Sequence, residues 1–473
     1  MLSARDLQQI ELKTQEIGRM IFARIADQKP AIFRESWWSG RVMDWSMRSE
    51  QFKVEMFRFV DVLPCLRSSA EVARHLQEYL CRSQGDFPGF FQWGLRNLPS
   101  ASLPAKVIAR LMESNVRKLA RRFIVGSNAA EAALSLKKNW KKGITFTADL
   151  LGEATVSEKE AEAYQQRYAD LLRYTALKVQ NWPLPAECPS CLSWKKAFES
   201  GESRVNVSVK LSALYSQFDP IDFNGSLEGV LKRLHPILKV AHETGAFINL
   251  DMEQYEWKDL ALAIFRRIEE EGSSREKRCY GIAIQSYLKE SERDVGELLA
   301  WAEKFQRPFA IRLVKGAYWD YELISSRQQG WPSPVWEHKR ETDACFERLT
   351  RLLLSRYPLV RTAIGSHNVR SIAHATATAE FLGVPKEGFE LQMLYGMAEP
   401  IKKTLVEMGY LVRDYTPIGE LIPGMGYLVR RLLENTSNES FLRQRFVEHL
   451  DVEKLLQSPL PSGSRQSHDR VAL

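Results

Sequence analysis

Residues 309–318 read Phe309-Ala-Ile-Arg312-Leu-Val-Lys315-Gly316-Ala-Tyr318. A short run of aliphatic and aromatic residues that stops at a glycine reads as a strand, being too brief for a buried helix. Seven more runs share that texture, at 144–151, 204–212, 247–253, 280–288, 360–368, 389–396 and 411–419. Amphipathic segments such as 157–179 and 335–354 separate them. Strict strand–helix alternation predicts a parallel sheet with crossover helices. Eight such units over roughly 300 residues fit a closed, TIM-like (β/α)8 barrel of the α/β class better than an open doubly wound sheet. No G-x-G-x-x-G follows a strand, which counts against a dinucleotide-binding Rossmann domain.

Upstream, the periodicity is helical only. Val107, Ile108, Leu111, Met112, Val116, Leu119, Phe123 and Ile124 recur at helical spacing, and Asp86-Phe87-Pro88-Gly89 marks a turn. We therefore expect an all-helical subdomain at 1–140, the barrel at 141–450 and a linker-like tail at 451–473. The whole is 44% hydrophobic and 26% charged, which excludes disordered and collagen-like classes. A net charge of +7 without a basic block gives no nucleic-acid signature. No apolar leader follows Met1, and no stretch reaches the ~20 apolar residues of a spanning helix. A cytoplasmic chain, at most peripheral to a membrane, is expected. The six cysteines suit a reducing compartment, and Cys188-Pro-Ser-Cys191 reads as a loop with two incidental thiols.

Barrel enzymes carry their chemistry at the C-terminal strand ends. Here those ends hold Asp149 and Glu153, Lys210, Asp251 and Glu253, Gln285, Arg312 and Lys315, Ser366-His-Asn368, Leu394 and Tyr415. A charged or amide group in an apolar run costs several kcal/mol unless paired. One such residue is explained by a structural ion pair. A polar group at nearly every strand end predicts a pocket.

Residues 427–434, Tyr427-Leu-Val-Arg430-Arg431-Leu-Leu-Glu434, read as a helix. Arg430 and Glu434 share a face at i,i+4, and Arg431 is turned by about 100°. Adjacent arginines are commonly a solvated face. Embedded among leucines and valine, at least one of these is expected to point inward, where a guanidinium suits a carboxylate. With only eight histidines and no H-x-H after the first strand, a multi-histidine metal site is not expected. Asp251, Glu253 and His367 are a conceivable metal set, but carboxylates beside Arg and Lys more often form ion pairs. A Schiff-base lyase using Lys210 or Lys315 is the serious competitor, and a catalytically silent scaffold is the third reading.

Three blocks resemble one family: 312–320 (Arg-Leu-Val-Lys-Gly-Ala-Tyr-Trp-Asp), 365–368 (Gly-Ser-His-Asn) and Tyr415-Thr-Pro followed by 427–435. They are similar to proline dehydrogenase, specifically the flavin barrel of the bifunctional bacterial proline-utilisation flavoproteins. The resemblance covers about 140–450 well and the helical region more loosely. It implies oxidation of L-proline to Δ1-pyrroline-5-carboxylate by hydride transfer from C5 to N5 of FAD, the electrons then passing to a membrane quinone. A hydroxyproline dehydrogenase of the same fold is the alternative. The resemblance also implies a downstream pyrroline-5-carboxylate dehydrogenase, separate or fused, and is compatible with a homodimer.

By motif, Lys210, Arg430 and Arg431 would hold the substrate carboxylate, with Lys210 counted among the catalytic groups. Leu394, Tyr415 and Tyr427 would pack on the ring, Asp251 would support the pocket, and Glu153 would gate it. Catalytic Arg312 would lie beside flavin N5, with Met252, Gln285 and Val314 facing the isoalloxazine. Lys315, Gly316, Ala317 and Tyr318 would line the cofactor, and Trp319 would stack on adenine. Lys339, Ser366, His367, Asn368 and Glu434 would contact its phosphates and sugars. The tyrosine at 415 favours plain proline, since a phenol there would crowd a ring hydroxyl. No residue stands out as a base for the substrate amine.

Overall fold

Eight parallel strands close on themselves in chain order to form a barrel. The structure, a computed structural model, describes residues 2–27, 62–82, 121–152, 154–184, 188–272, 280–420 and 451–459, with isolated positions between 55 and 114. Among the described residues, α1 (Ala4–Asp27) and α2 (Ser69–Arg82) come first, and α3 (Ala129–Trp140) leads into the barrel. The first half follows as β1 (Ile144–Leu150), α4 (Glu158–Val179), α5 (Pro189–Glu199), β2 (Asn206–Val209), α6 (Phe223–Thr244), β3 (Phe247–Leu250), α7 (Lys258–Glu271) and β4 (Tyr280–Gln285). The second half is α8 (Ser291–Phe305), β5 (Phe309–Val314), α9 (Trp319–Gln329), α10 (Lys339–Leu354), β6 (Val360–Gly365), α11 (Val369–Phe381), β7 (Phe389–Leu394), α12 (Glu399–Glu407) and β8 (Val412–Ile418). Residues Val452–Leu455 form one last turn, α13.

Each predicted run contains one strand, but several runs overshoot. The run 204–212 yields only Asn206–Val209, because the chain turns after Lys210 into a 3-10 turn, Leu211–Ala213. Lys210 therefore sits just past the end of its strand rather than within it.

Residues paired across parallel strands share a face, and the register therefore assigns the lumen. The apolar positions Ile144, Phe146, Val207, Val209, Ile248, Leu250, Ile311 and Leu313 alternate outward against the helices and are buried. The inward positions include Thr147, Ser208, Asn249, Arg312, Gln392 and Arg413, all buried and polar. Aliphatic side chains usually fill such a barrel. This one is lined with hydrogen-bonding groups.

Helix α1 is part of the barrel's core: Ile10, Ile17, Ile21, Phe22 and Ile25 join the same buried cluster. Arg370 on α11 clasps it, donating to both carboxylate oxygens of Glu11 at 2.8 and 2.7 Å. The same guanidinium bonds Glu347 of α10 and the carbonyl of Leu456. The expected tail thus includes residues 451–459, which dock here with Leu456 buried; 460–473 lie outside the described residues. One expectation is corrected. Cys188 and Cys191 are joined in a disulfide, since the first turn of α5 brings their Cα atoms to 5.4 Å.

Candidate active site

Four strand ends converge on one carboxylate. Asp251, the first residue beyond β3, accepts from Arg312 Nη1 at 2.7 Å through Oδ1 and from the Tyr415 hydroxyl at 2.7 Å through Oδ2. Lys210, the first residue beyond β2, sends its ammonium against Asp149 of β1. It also lies 3.3 Å from the Tyr415 hydroxyl and 3.6 Å from Asp251. Arg312 is held from beneath by Ser208 Oγ at 2.9 Å and lies over the Tyr415 ring, 5.4 Å from its centroid. Thr147, bonded to Asn206 and Ser208, completes the floor. The mouth is therefore a preorganised ionic cup, its side chains locked by one another.

At Lys210 and Tyr415 burial penalises the charged form, and the neighbours decide the outcome. For Lys210, desolvation pulls the pKa down, yet the charges around it, Asp149 foremost, hold it well above its ordinary value. Lys210 is a fixed cation. Burial drives the Tyr415 phenol well above its ordinary pKa, with Asp149 and Asp251 adding to the effect, so it stays a neutral donor.

The β4–β6 side is less ionic and has open polar valences. Gln285, buried at the end of β4, donates to the backbone carbonyls of Glu253 at 3.2 Å and Met252 at 3.4 Å. Its carboxamide oxygen and Arg312 Nε are buried without a hydrogen-bond partner among the described residues. A planar group with hydrogen-bonding edges would satisfy both, as an isoalloxazine does. Past β5, Gly316 adopts φ +124°, and a Cβ there would sit 2.5 Å from the Tyr287 ring, so only glycine passes. Gly316 and Ala317 are both exposed. Lys315 pairs with Asp343, and Trp319, opening α9, donates Nε1 to the Trp336 carbonyl at 2.7 Å. These residues fit a bound flavin dinucleotide.

After β6, His367 Nε2 accepts from the Leu394 backbone N–H at 2.9 Å, which requires the tautomer protonated at Nδ1. Ser366 Oγ accepts from Asn368 N–H at 3.1 Å, and Asn368 caps α11 by accepting from Ser371 N–H. Val314, Lys315, Ser366, His367 and Leu394 all sit at the same end of the barrel. Lys339 opens α10, and Tyr318 immediately precedes α9. Glu153, Tyr427, Arg430, Arg431 and Glu434 lie outside the described residues. Sequence reasoning noted Asp149 at the strand end but assigned it no role; its partnership with Lys210 spans 61 residues and leaves no local mark.

Fold and site together define a (β/α)8 barrel with a charged cup at the C-terminal ends of its strands. The chain belongs to the proline dehydrogenase family, whose model, described as "Proline dehydrogenase", matches residues 132–444. A second model, "Proline utilization A N-terminal domain", matches 11–123. The bifunctional protein PutA of Escherichia coli K12 is 25% identical over 97% of this chain, which spans 36% of that protein. Proline dehydrogenase 1 of Bacillus subtilis 168 is 29% identical over 68% of this chain and 89% of its own length. The crystal structure of PutA from Bdellovibrio bacteriovorus, inactivated by N-propargylglycine, superposes with a TM-score of 0.84 at 44% identity, covering 95% of this chain and 44% of that one. The chain thus spans less than half of the bifunctional relatives.

Proposed function

We propose that this chain oxidises L-proline to Δ1-pyrroline-5-carboxylate with FAD as cofactor. The observation that carries the reading is the cup of Asp149, Lys210, Asp251, Arg312 and Tyr415 in a chain of this family. Bound FAD would supply the two-electron acceptor chemistry, taking a hydride from proline C5. Everything else falls to the protein: anchoring the carboxylate, fixing the ring and excluding water. Lys210 supplies a fixed positive charge at the mouth, and Arg430 and Arg431 join it in the carboxylate grip. Leu394, Tyr415 and Tyr427 pack the ring, Glu153 gates the entrance and Glu434 joins the cofactor contacts. Arg312, oriented by Asp251 and Ser208, places its positive charge beside the flavin, where negative charge develops.

The rigid Tyr415 hydroxyl, bound to Asp251 at 2.7 Å, supports plain proline over its hydroxylated form. The lyase reading loses support from the electrostatics. A Schiff-base lysine must be neutral, whereas Lys210 is held as an ammonium and Lys315 pairs with Asp343. Electrons would pass to a membrane quinone during peripheral contact at the inner face, and the product to a downstream dehydrogenase, separate or fused. Residues 1–140 would form a helical attachment to the barrel. No described helix is long and apolar enough to cross a membrane. The test is anaerobic visible spectroscopy: the purified protein is yellow and bleaches on adding proline. A colourless protein that cannot take up FAD overturns the reading.

A further inference from the structure

Beside the cup lies a carboxylate that forms no ion pair with any described residue. Glu253, two residues past Asp251, is 8% exposed and spends both oxygens on one residue. Oε1 accepts from Ser212 Oγ at 2.6 Å and Oε2 from the Ser212 backbone N–H at 3.1 Å. Ser212 sits in the 3-10 turn that starts directly after Lys210. On the other side, the Lys210 backbone N–H donates to the hydroxyl of Tyr168, which is buried on α4. The main chain carrying Lys210 is therefore pinned at both ends by buried side chains.

The same node reaches two more loops. The Ser212 carbonyl accepts from Thr155 N–H at 3.2 Å and Thr155 Oγ1 at 3.3 Å, in the loop after β1. Gln285 Nε2 binds the Glu253 carbonyl at 3.2 Å, from the end of β4. The connections after β1, β2, β3 and β4 meet here. A fold that needed only packing would be served at lower cost by an apolar side chain, because burying a carboxylate is expensive. Presenting two acceptors to adjacent donors, with no donor of its own, is something only a carboxylate does.

We propose that Glu253 is a positioning residue for Lys210, fixing the turn that carries the ammonium through its paired grip on Ser212. This rests on the proposed proline oxidation, in which Lys210 holds the substrate carboxylate. A displaced Lys210 would weaken substrate and transition state alike, so KM rises while kcat changes little.

The test uses the FAD-loaded full chain with Glu253→Ala, Glu253→Gln, Ser212→Ala and the Glu253→Ala/Ser212→Ala double variant. KM for proline is expected to rise about tenfold in Glu253→Ala and Ser212→Ala, and less in Glu253→Gln, which keeps one acceptor. The double variant should be no worse than the more affected single one, since both act through one contact. A second readout needs no turnover: reductive methylation followed by peptide mass spectrometry, in which Lys210 should label several-fold faster in Glu253→Ala than in the wild type. Unchanged Lys210 labelling overturns the proposal even if the melting temperature falls, as do single-variant effects that multiply in the double variant. If the wild type does not oxidise proline, the functional reading fails, and the labelling arm still decides the role of Glu253.

Discussion

Tyr415 donates its hydroxyl hydrogen to Oδ2 of Asp251 at 2.7 Å, joining β8 to the end of β3 across the barrel mouth. The other oxygen of that carboxylate holds Arg312 at 2.7 Å. Asp251 thus orients a neutral donor and a cation at once. Asp251→Asn turns one acceptor into a donor that faces Arg312 or Tyr415. We expect kcat/KM for proline to fall about a hundredfold with the flavin still bound. Steady-state proline:dye assays measure this, and a value close to the wild type would mean that the cup is not the site.

Lys210→Met leaves Asp149 and Asp251 without their shared cation. Asp149 is 1% exposed, and stranding a buried charge costs about 3–5 kcal/mol. Urea unfolding should show that loss together with a higher KM. Borohydride trapping with carbonyl substrates should leave Lys210 unmodified in the wild type, and a trapped adduct would revive the lyase reading.

Tyr415→Phe removes only a hydroxyl. Asp251 keeps Arg312, so stability should drop by about 1 kcal/mol. The space freed at the mouth should raise activity on hydroxyproline relative to proline about tenfold, a ratio read from paired kcat/KM values. No change in that ratio would remove Tyr415 from the specificity argument.

Acid should loosen the clamp on α1. His374 on α11 is buried against Thr14, Arg351 and Glu347, and burial lowers its pKa to about 4, with Glu347 opposing. Between the unfolded value near 6.5 and about 4, only the unfolded state takes the proton, so stability falls as pH drops through that window, by up to about 3 kcal/mol. Asp414 acts oppositely: burial raises its pKa to about 6, so between 3.8 and about 6 its stability contribution grows as pH falls. Urea midpoints at pH 7 and pH 5 should show a shallower acid loss in His374→Gln than in the wild type. Equal slopes would exclude His374 as the source.

Arg370→Met should release both ends of the described chain from α11. Glu11 and Glu347 would lose their shared guanidinium, at a cost of about 3–5 kcal/mol. Limited proteolysis should then cut near α1 and residues 451–459 before the barrel, whereas unaltered cleavage would show that apolar packing alone holds them.

The eight strands were legible because each is a local β-rich run, and Arg312, Asp251 and Lys210 stood out as charged groups within or just past the ends of such runs. The resemblance pointed to the family from contiguous blocks. What the sequence could not contain is partnership. Arg312 finds Ser208 across 104 residues, and Arg370 finds Glu11 across 359. The CxxC pair read as two thiols because spacing cannot say whether a helical turn will bring them together. Nothing local marks Glu253 as the residue that grips Ser212 rather than a second member of the cup. Alternation along a strand is a property of the backbone and is written every two residues. Which charge meets which is decided by strand register, loop path and barrel closure, and these exist only once the chain has folded.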